Sequence, residues 1–302
     1  MDIAGCMLCP KGCKADRIER VGFCGAGREP EVATICVHKG EEPPLCGERG
    51  ICNVFFAHCN LQCVYCQNRE ISMRESRCEI RFRGVESIVE GIAETLKETE
   101  NVVGFVTPSH YADSIPAIVE GLHARGLFPT TVYNTGGYDS VERLRMLNEY
   151  IDVYLPDFKY MDGELSERYS HAKDYPEVAL RGLREMYDQR GSSLPTDERG
   201  IAYRGIIVRH LVLPGQVENS LRVLDALADI STGLHVALMA QYFPPTEGLP
   251  DELGRTLRKD EYERVVEHFY DVGLHRGWVQ ELEAEECYRP DFSRKEAFGI
   301  SD

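Results

Sequence analysis

No apolar run in the 302-residue sequence approaches the roughly 20 residues that a membrane-spanning helix needs. The amino terminus, Met1-Asp2-Ile3-Ala4-Gly5-Cys6, has neither the basic flank nor the apolar stretch of an export signal. No membrane association and a cytoplasmic location are therefore expected. Basic clusters are equally scarce. Lys and Arg number 34 against 50 Asp and Glu, a formal net charge of −16, and the longest charged stretch, Glu281 to Glu286, is acidic. Such a surface repels a phosphate backbone, which argues against nucleic acid as a partner. Internal repeats and low-complexity tracts are also lacking.

Cysteine, by contrast, is abundant. Nine of the 12 cysteines fall between Cys6 and Cys63, so the enrichment needs a local cause. A secreted disulfide scaffold would be shorter and carry an export signal, whereas clustered thiols in a reducing compartment bind metal. Three regions follow from composition. Residues 1–50, rich in Cys, Gly and Pro with little periodicity, read as a metal-binding extension made of loops. Residues 51–245 alternate short apolar runs with amphipathic stretches. Residues 246–302 are polar, with one helix and an irregular tail.

The middle region sets the fold class, α/β. Strands are expected at Asn53–Ala57, Val102–Thr107, Thr130–Asn134, Val153–Leu155, Ile206–Leu213 and Val236–Met239, mostly apolar runs without alternation, as strands covered on both faces should be. Helices are expected between them, at Val85–Glu98, Ser114–Arg125, Val141–Asn148, Val178–Arg190 and Asn219–Asp229, with Asp139-Ser140 and Asn219-Ser220 as N-caps. Six strand–helix repeats imply a parallel sheet with right-handed crossovers. Eight would close a barrel, so an open, partial (β/α)6 TIM-like barrel is predicted. Chemistry in such sheets sits at the C-terminal strand ends. Polar motifs follow every apolar run: His58-Cys59-Asn60, Thr107-Pro108-Ser109-His110, Asn134-Thr135-Gly136-Gly137, Asp157-Phe158-Lys159, Arg209-His210 and Gln241-Tyr242.

The first of these loops holds Cys59, Cys63 and Cys66 in a C-x3-C-x2-C pattern. Three thiolates on one loop suit three irons of a [4Fe–4S] cubane and leave the fourth open to a small molecule. A zinc site with His58 as fourth ligand, or three buried free thiols, are the competing readings. The loop, including Tyr65 before its last cysteine, resembles the signature of the radical S-adenosylmethionine (SAM) superfamily. The continuation Cys66-Gln67-Asn68-Arg69-Glu70 is similar to the glycyl-radical-enzyme activases, such as pyruvate formate-lyase activating enzyme. A nearer resemblance is to a branch of iron–sulfur proteins related to that activase. It is carried by Gly22-Phe23-Cys24-Gly25, Glu41-Glu42-Pro43-Pro44, Val106-Thr107-Pro108-Ser109-His110-Tyr111, Tyr133-Asn134-Thr135-Gly136-Gly137-Tyr138, Tyr154-Leu155-Pro156-Asp157-Phe158-Lys159-Tyr160 and Arg209-His210-Leu211-Val212-Leu213-Pro214-Gly215.

The resemblance implies an oxidoreductase-type radical SAM enzyme. Reductive cleavage of SAM at the cluster yields a 5′-deoxyadenosyl radical that abstracts hydrogen from a substrate, in the activase case a glycyl radical enzyme. It implies a one-electron donor of flavodoxin or ferredoxin type. It also places Tyr65 near the adenine and Asn68 on the cofactor. The activases' Gly-Gly-Glu after the second strand is missing, and Thr107, Ser109 and His110 stand there instead. Gly40-Glu41-Glu42-Pro43 looks similar to that motif but precedes the first strand, so it is not expected to reach the pocket. Asn134 matches an acidic position, and Asp157 and Lys159 match an Asp-x-Lys motif. Two apart on an extended segment, the latter pair point to the same side. Of the alternating Arg209 and His210, Arg209 is expected to face the site, and Gln241 ends the sixth strand. Each motif also has a plainer reading, as an ion pair, a cap or a turn.

Cys6, Cys9, Cys13 and Cys24 form a four-thiol set suited to a closed site, either zinc or a second iron–sulfur cluster. Cys36, Cys46, Cys52, Cys78 and Cys287 are read as small buried hydrophobes, with Cys36 a substitute ligand. The competing functions are a non-catalytic iron–sulfur electron carrier or metal-binding adaptor, which predicts no SAM binding, and a radical SAM enzyme acting on a small molecule.

Overall fold

The computed structural model describes residues 5–282 and Phe292. Cys287, Glu283 to Glu286 of the acidic stretch and most of the expected polar tail lie outside the described residues. In chain order the strands are β1 (Glu31–His38), β2 (Ile51–Phe56), β3 (Phe82–Arg83), β4 (Val102–Val106), β5 (Thr130–Thr135), β6 (Val153–Pro156), β7 (Gly205–Leu211), β8 (His235–Met239) and β9 (Arg276–Val279). They form one open sheet ordered β3-β1-β2-β4-β5-β6-β7-β8-β9. Every pair from β2 to β9 is parallel, while β1 runs antiparallel to β2 and β3. The helices are α1 (Pro43–Cys46), α2 (Arg69–Ser72), α3 (Gly84–Thr95), α4 (Ile115–His123), α5 (Val141–Leu147), α6 (Gly163–Ser170), α7 (Tyr175–Arg190), α8 (Val217–Ile230) and α9 (Lys259–Asp271). No helix among the described residues is long and apolar enough to cross a membrane.

The six expected strands and five expected helices are present with ends shifted by a few residues. Three strands, β1, the two-residue β3 and β9, are not among those the sequence predicts. β1 lies within the Cys-, Gly- and Pro-rich first 50 residues, and six of its eight buried or nearly buried residues pair with β2. β9 is only Arg-Gly-Trp-Val, too short and Gly-interrupted to carry a period. The N-cap at Asn219-Ser220 is a correction. α8 begins two residues earlier, and Asn219 instead bridges chain segments, accepting from Met161 N–H at 2.9 Å and donating to Lys159 O at 3.0 Å. Ser140 does precede α5, but its hydroxyl donates to Glu142 rather than to the helix backbone.

Strand alternation splits the core into two layers. Outward residues such as Val54, Phe56, Phe105, Tyr133 and Val208 pack beneath helix residues such as Ile88, Ile92, Ile118, Leu144 and Leu227. Inward residues Ile51, Val102, Val132, Val153 and Ile207 meet Leu45 and Cys46 of α1 and Ile201 and Ala202 of the loop before β7. Because β1 is antiparallel to β2, the turn carrying α1 sits under the N-terminal strand ends, where it plugs the barrel. Further along the same inner faces the side chains become polar: Asn53, Asn134, Asp157 and Arg209. That switch from apolar to polar places the site.

Candidate active site

The loop after β2 is held by backbone turns and one side chain. His58 and Gln62 take left-handed conformations, φ 72° and 54°. Gln62 then donates to Cys59 O at 2.9 Å and Ser72 O at 2.8 Å and accepts from Arg74 N–H at 2.7 Å. Each sulfur meets a donor. Leu61 N–H approaches Cys59 Sγ at 3.4 Å, Ser170 Oγ donates to Cys63 Sγ at 3.0 Å, and Ser72 Oγ to Cys66 Sγ at 3.2 Å. Such donors favour thiolate over thiol. Burial, with the Cys63 thiol next in effect, pushes Cys59 up to about 12, and burial takes Cys63 to about 11 against the pull of Lys159. Iron must therefore displace protons to bind here. Among the described residues no three His, Cys, Asp or Glu side chains converge on a single ion. A cubane asks for no such convergence, since each thiolate meets a different iron. His58, the alternative fourth ligand for zinc, has its Nε2 3.3 Å from Glu31 Oε2. The donor set thus fits a cluster held by three thiols.

Below the loop, the barrel interior holds a charged network centred on Arg209. Its Nε donates to Asp157 Oδ1 at 2.8 Å, Nη1 to Glu41 Oε1 at 3.0 Å and Nη2 to Asn134 Oδ1 at 2.6 Å. Lys159 Nζ donates to Asp157 Oδ2 at 2.6 Å. Glu41 Oε2 accepts from Asn53 at 2.9 Å and Asn134 at 3.3 Å. Burial alone would raise Asp157 and Glu41. Arg209, joined by Lys159 at Asp157 and by His38 and Asn53 at Glu41, reverses this and holds both below the usual carboxylate range. Lys159 also acts on Cys63 and Cys66, linking network to loop. The turn after β5 has its own requirement for glycine: a Cβ on Gly137, at φ 79°, would lie 2.2 Å from Asp157 O.

Asn134, Asp157, Lys159 and Arg209 are thus brought together. His210 faces the other way, its ring on Phe158 O at 2.7 Å and Ser220 Oγ at 2.9 Å, and burial holds it down to about 4. Glu41 is the residue that sequence reasoning excluded. Its segment does precede β2, yet it enters the barrel from the plugged end. A pair of acids between Gly40 and Pro43 in an otherwise Gly- and Pro-rich stretch was the available signal.

The remaining candidates sit around this centre. Tyr65 is buried, accepts from Tyr160 Oη at 2.7 Å and packs edge-on against Tyr169 and Tyr242. Asn68 is half-buried, and its N–H faces Cys66. Thr107, just past β4, holds φ 57°, a strained value for a β-branched residue, and its N–H donates to Asn134 O at 2.8 Å. Ser109 is tied to Thr135 at 3.1 Å. His110 is turned to Ala57 O at 2.8 Å, and burial lowers it to about 3. Gln241 accepts from Gln280 at 2.8 Å, and its carbonyl accepts from Gln67 at 3.0 Å, fastening the end of β8 to the cysteine loop.

The N-terminal thiols lie beside this loop. Asn60 hydrogen-bonds Cys9, and its Nδ2 donates to Tyr138 O at 2.9 Å. Cys9 and Cys24 are buried, Cys6 half-buried and Cys13 exposed. Cys9 senses Cys24 and Cys6, and Cys24 senses Cys6 and Cys13. Burial raises Cys9 to about 12, whereas backbone donors from Phe23 and Ala15 outweigh burial and lower Cys13. A Cβ on Gly22 would lie 2.7 Å from Cys13 Sγ, so glycine leaves room for that sulfur. Cys36, Cys46 and Cys52 are buried and Cys78 is half-buried.

Residues 53–218 match the family model of the Radical SAM superfamily. The "Uncharacterized protein MJ0674" of Methanocaldococcus jannaschii is 28% identical over 271 residues, covering 87% of this chain and 73% of that protein. Among solved structures, Streptococcus suis SuiB bound to precursor peptide SuiA is similar with a TM-score of 0.52 at 13% identity, over 76% of this chain and 48% of that one. A domain of pyruvate-formate lyase-activating enzyme from Bacteroides vulgatus has a TM-score of 0.39 at 13% identity, over 56% of this chain and 93% of that one. At 13% identity the likeness to SuiB speaks to fold alone.

Proposed function

The chain belongs to the radical SAM superfamily, and we propose that it is an enzyme in which Cys59, Cys63 and Cys66 hold a [4Fe–4S] cluster and the barrel interior receives SAM. One observation carries this reading: three donor-supplied sulfurs stand over the Lys159–Asp157–Arg209 network, with Lys159 acting on both. When bound, the cluster and SAM supply a one-electron cleavage that yields a 5′-deoxyadenosyl radical able to take hydrogen from a substrate. The protein's part is to bind, orient and exclude water. Lys159 and Arg209 offer charge to the SAM carboxylate, and Asp157 accepts from its ammonium or ribose. Asn134 orients Arg209. Tyr65, Asn68, Thr107 and Gln241 supply the rim, while Ser109 and His110 brace the β4 end from behind.

We assign a second metal, zinc or a second iron–sulfur cluster, to Cys6, Cys9, Cys13 and Cys24. The Asn60 bridge to Cys9 supports an electron route through that group from a flavodoxin- or ferredoxin-type donor. The free cysteines among the described residues suit a reducing, cytoplasmic setting. The division into 1–50, 51–245 and 246–302 remains our working proposal, with the family match inside the second part. Activation of a glycyl radical enzyme is a second, finer reading, supported by the Cys66-Gln67-Asn68-Arg69-Glu70 continuation. It requires a glycyl-radical electron paramagnetic resonance signal in a partner enzyme.

The test is anaerobic reconstitution with iron and sulfide, then dithionite and SAM, with 5′-deoxyadenosine, iron and zinc measured on one sample. Deoxyadenosine is expected from the wild type and none from Cys63→Ala. Turnover retained in that variant would refute the cluster assignment, and a bound cluster without deoxyadenosine would favour the electron-carrier reading. Iron near eight per chain rather than about four would make the N-terminal group a second cluster.

A further inference from the structure

The plug that closes one end of the barrel carries a carboxyl group that must share Arg209 with Asp157 and Glu41. Within the interior, Arg209 and Lys159 balance Glu41 and Asp157. Glu42 is the fifth ionisable group, and it holds a proton there. It hydrogen-bonds the Glu41 carboxylate, and its Oε2 is buried without a hydrogen-bond partner. Burial, opposed by Arg209 and reinforced by Glu41, pushes Glu42 up to about 8.

A second acceptor is orphaned beside the same carboxylate. Asn53 is 1% exposed and donates its Nδ2 to Glu41, yet its Oδ1 has no partner. That oxygen occupies the interior space left by Gly104, where a Cβ would lie 2.1 Å away. Buried polar atoms are normally satisfied, so two unpaired acceptors flanking one carboxylate define a place for a ligand that brings donors. Donors alone would suit an alcohol, but a cation also lets Glu42 release the proton it shares with Glu41, so the carboxyl pair selects a cation.

We propose that the barrel interior between the Glu41-Glu42 plug and the cysteine loop binds a small organic cation, its primary ammonium group held by Glu42 and Asn53. An ammonium has three donors and no acceptor, which matches the unfilled set. Leu45 and Cys46 close the N-terminal end, so the ligand enters from the side of the cysteine loop and its remaining atoms lie toward that loop. This rests on the proposed radical SAM function only in making that ligand the substrate. The binding itself is independent of it.

The experiment titrates n-butylammonium, n-butanol and butyrate into the reconstituted, SAM-saturated full chain by calorimetry. Butylammonium is expected to bind at least tenfold more tightly than the other two. Glu42→Gln, nearly the same shape, is expected to lose at least tenfold of that affinity and with it the preference over butanol. No butylammonium heat, equal affinity for butanol, preference for butyrate or an undiminished Glu42→Gln would each overturn the site. The same holds if SAM saturation abolishes binding, since SAM would then fill the place itself. The three-probe comparison on the wild type stands even if the variant fails to fold. Deoxyadenosine is assayed on the same wild-type sample. A sample that makes it but binds no ammonium refutes this site alone, and one that binds ammonium but never makes it refutes the proposed function alone.

Discussion

Replacing Arg209 by Met removes the only cation that touches both Glu41 and Asp157 among the described residues. The guanidinium makes three hydrogen bonds between 2.6 and 3.0 Å. The side chains it joins are little exposed, 8% for Glu41 and 18% for Asp157. Breaking a buried ion pair from one side costs about 3–5 kcal/mol. Asp157 keeps Lys159 and Glu41 keeps two amide donors, so the lower end, about 3 kcal/mol, applies. For 302 residues at about 2.1 cal/mol/K each, the unfolding entropy is roughly 0.6 kcal/mol/K, so Tm should fall by about 5 °C at pH 7. The pH dependence adds a second constraint. In the wild type both carboxyls are held below their ordinary values of 4.5 and 3.8. Their stabilising contribution is full above those values and is lost as pH falls through the depressed ones. In Arg209→Met burial remains without the cation, both carboxyls rise, and the penalty at pH 7 shrinks as pH falls to 5 and they take up protons. Scanning calorimetry of both proteins at pH 7 and 5 decides the matter. A fall in Tm below about 1 °C at pH 7, or an equal fall at both pH values, would refute the account of the network.

Two further perturbations probe the same interior. Asp157→Ala should weaken SAM binding by about 1–3 kcal/mol, since a buried acceptor for the cofactor is lost; equilibrium dialysis showing unchanged affinity would place Asp157 outside the cofactor's reach. Gly104→Ala should cost about 1–3 kcal/mol in urea unfolding, because its Cβ would meet Asn53 Oδ1 at 2.1 Å, and much of that cost should disappear in an Asn53→Ala background.

The barrel strands and most helices were legible because burial on both faces of a parallel sheet leaves continuous apolar runs, as at Val102–Val106 and Val153–Pro156. The same logic placed Asp157, Lys159 and Arg209 at strand ends before any contact was known. β1 was hidden because its neighbours in sequence are cysteines, glycines and prolines, and its pairing with β2 is a tertiary fact. The helix start at Val217 was hidden because Asn219 and Ser220 look like caps but spend their side chains on the Lys159 loop and on His210. Ser109 and His110 matched a pocket position by strand order alone, while their side chains bond to Thr135 and Ala57.

Glu41 shows why strand order is an incomplete guide to what lines a barrel. The rule that chemistry gathers at C-terminal strand ends assumes that side chains arrive from that end. β4 has five residues, and at about 3.3 Å per residue its span is roughly 16 Å. Asn53 is the third residue of β2, so a glutamate rising from the plug needs to climb only about two residues, roughly 7 Å, to reach it. With its oxygens on Asn53, Asn134 and Arg209, it joins the same ring as side chains delivered by strand ends. In a barrel this short the two ends share one interior. A segment preceding the first strand can therefore contribute to the site as directly as a strand-end loop, and the plug as well as the upper loops can shape what binds.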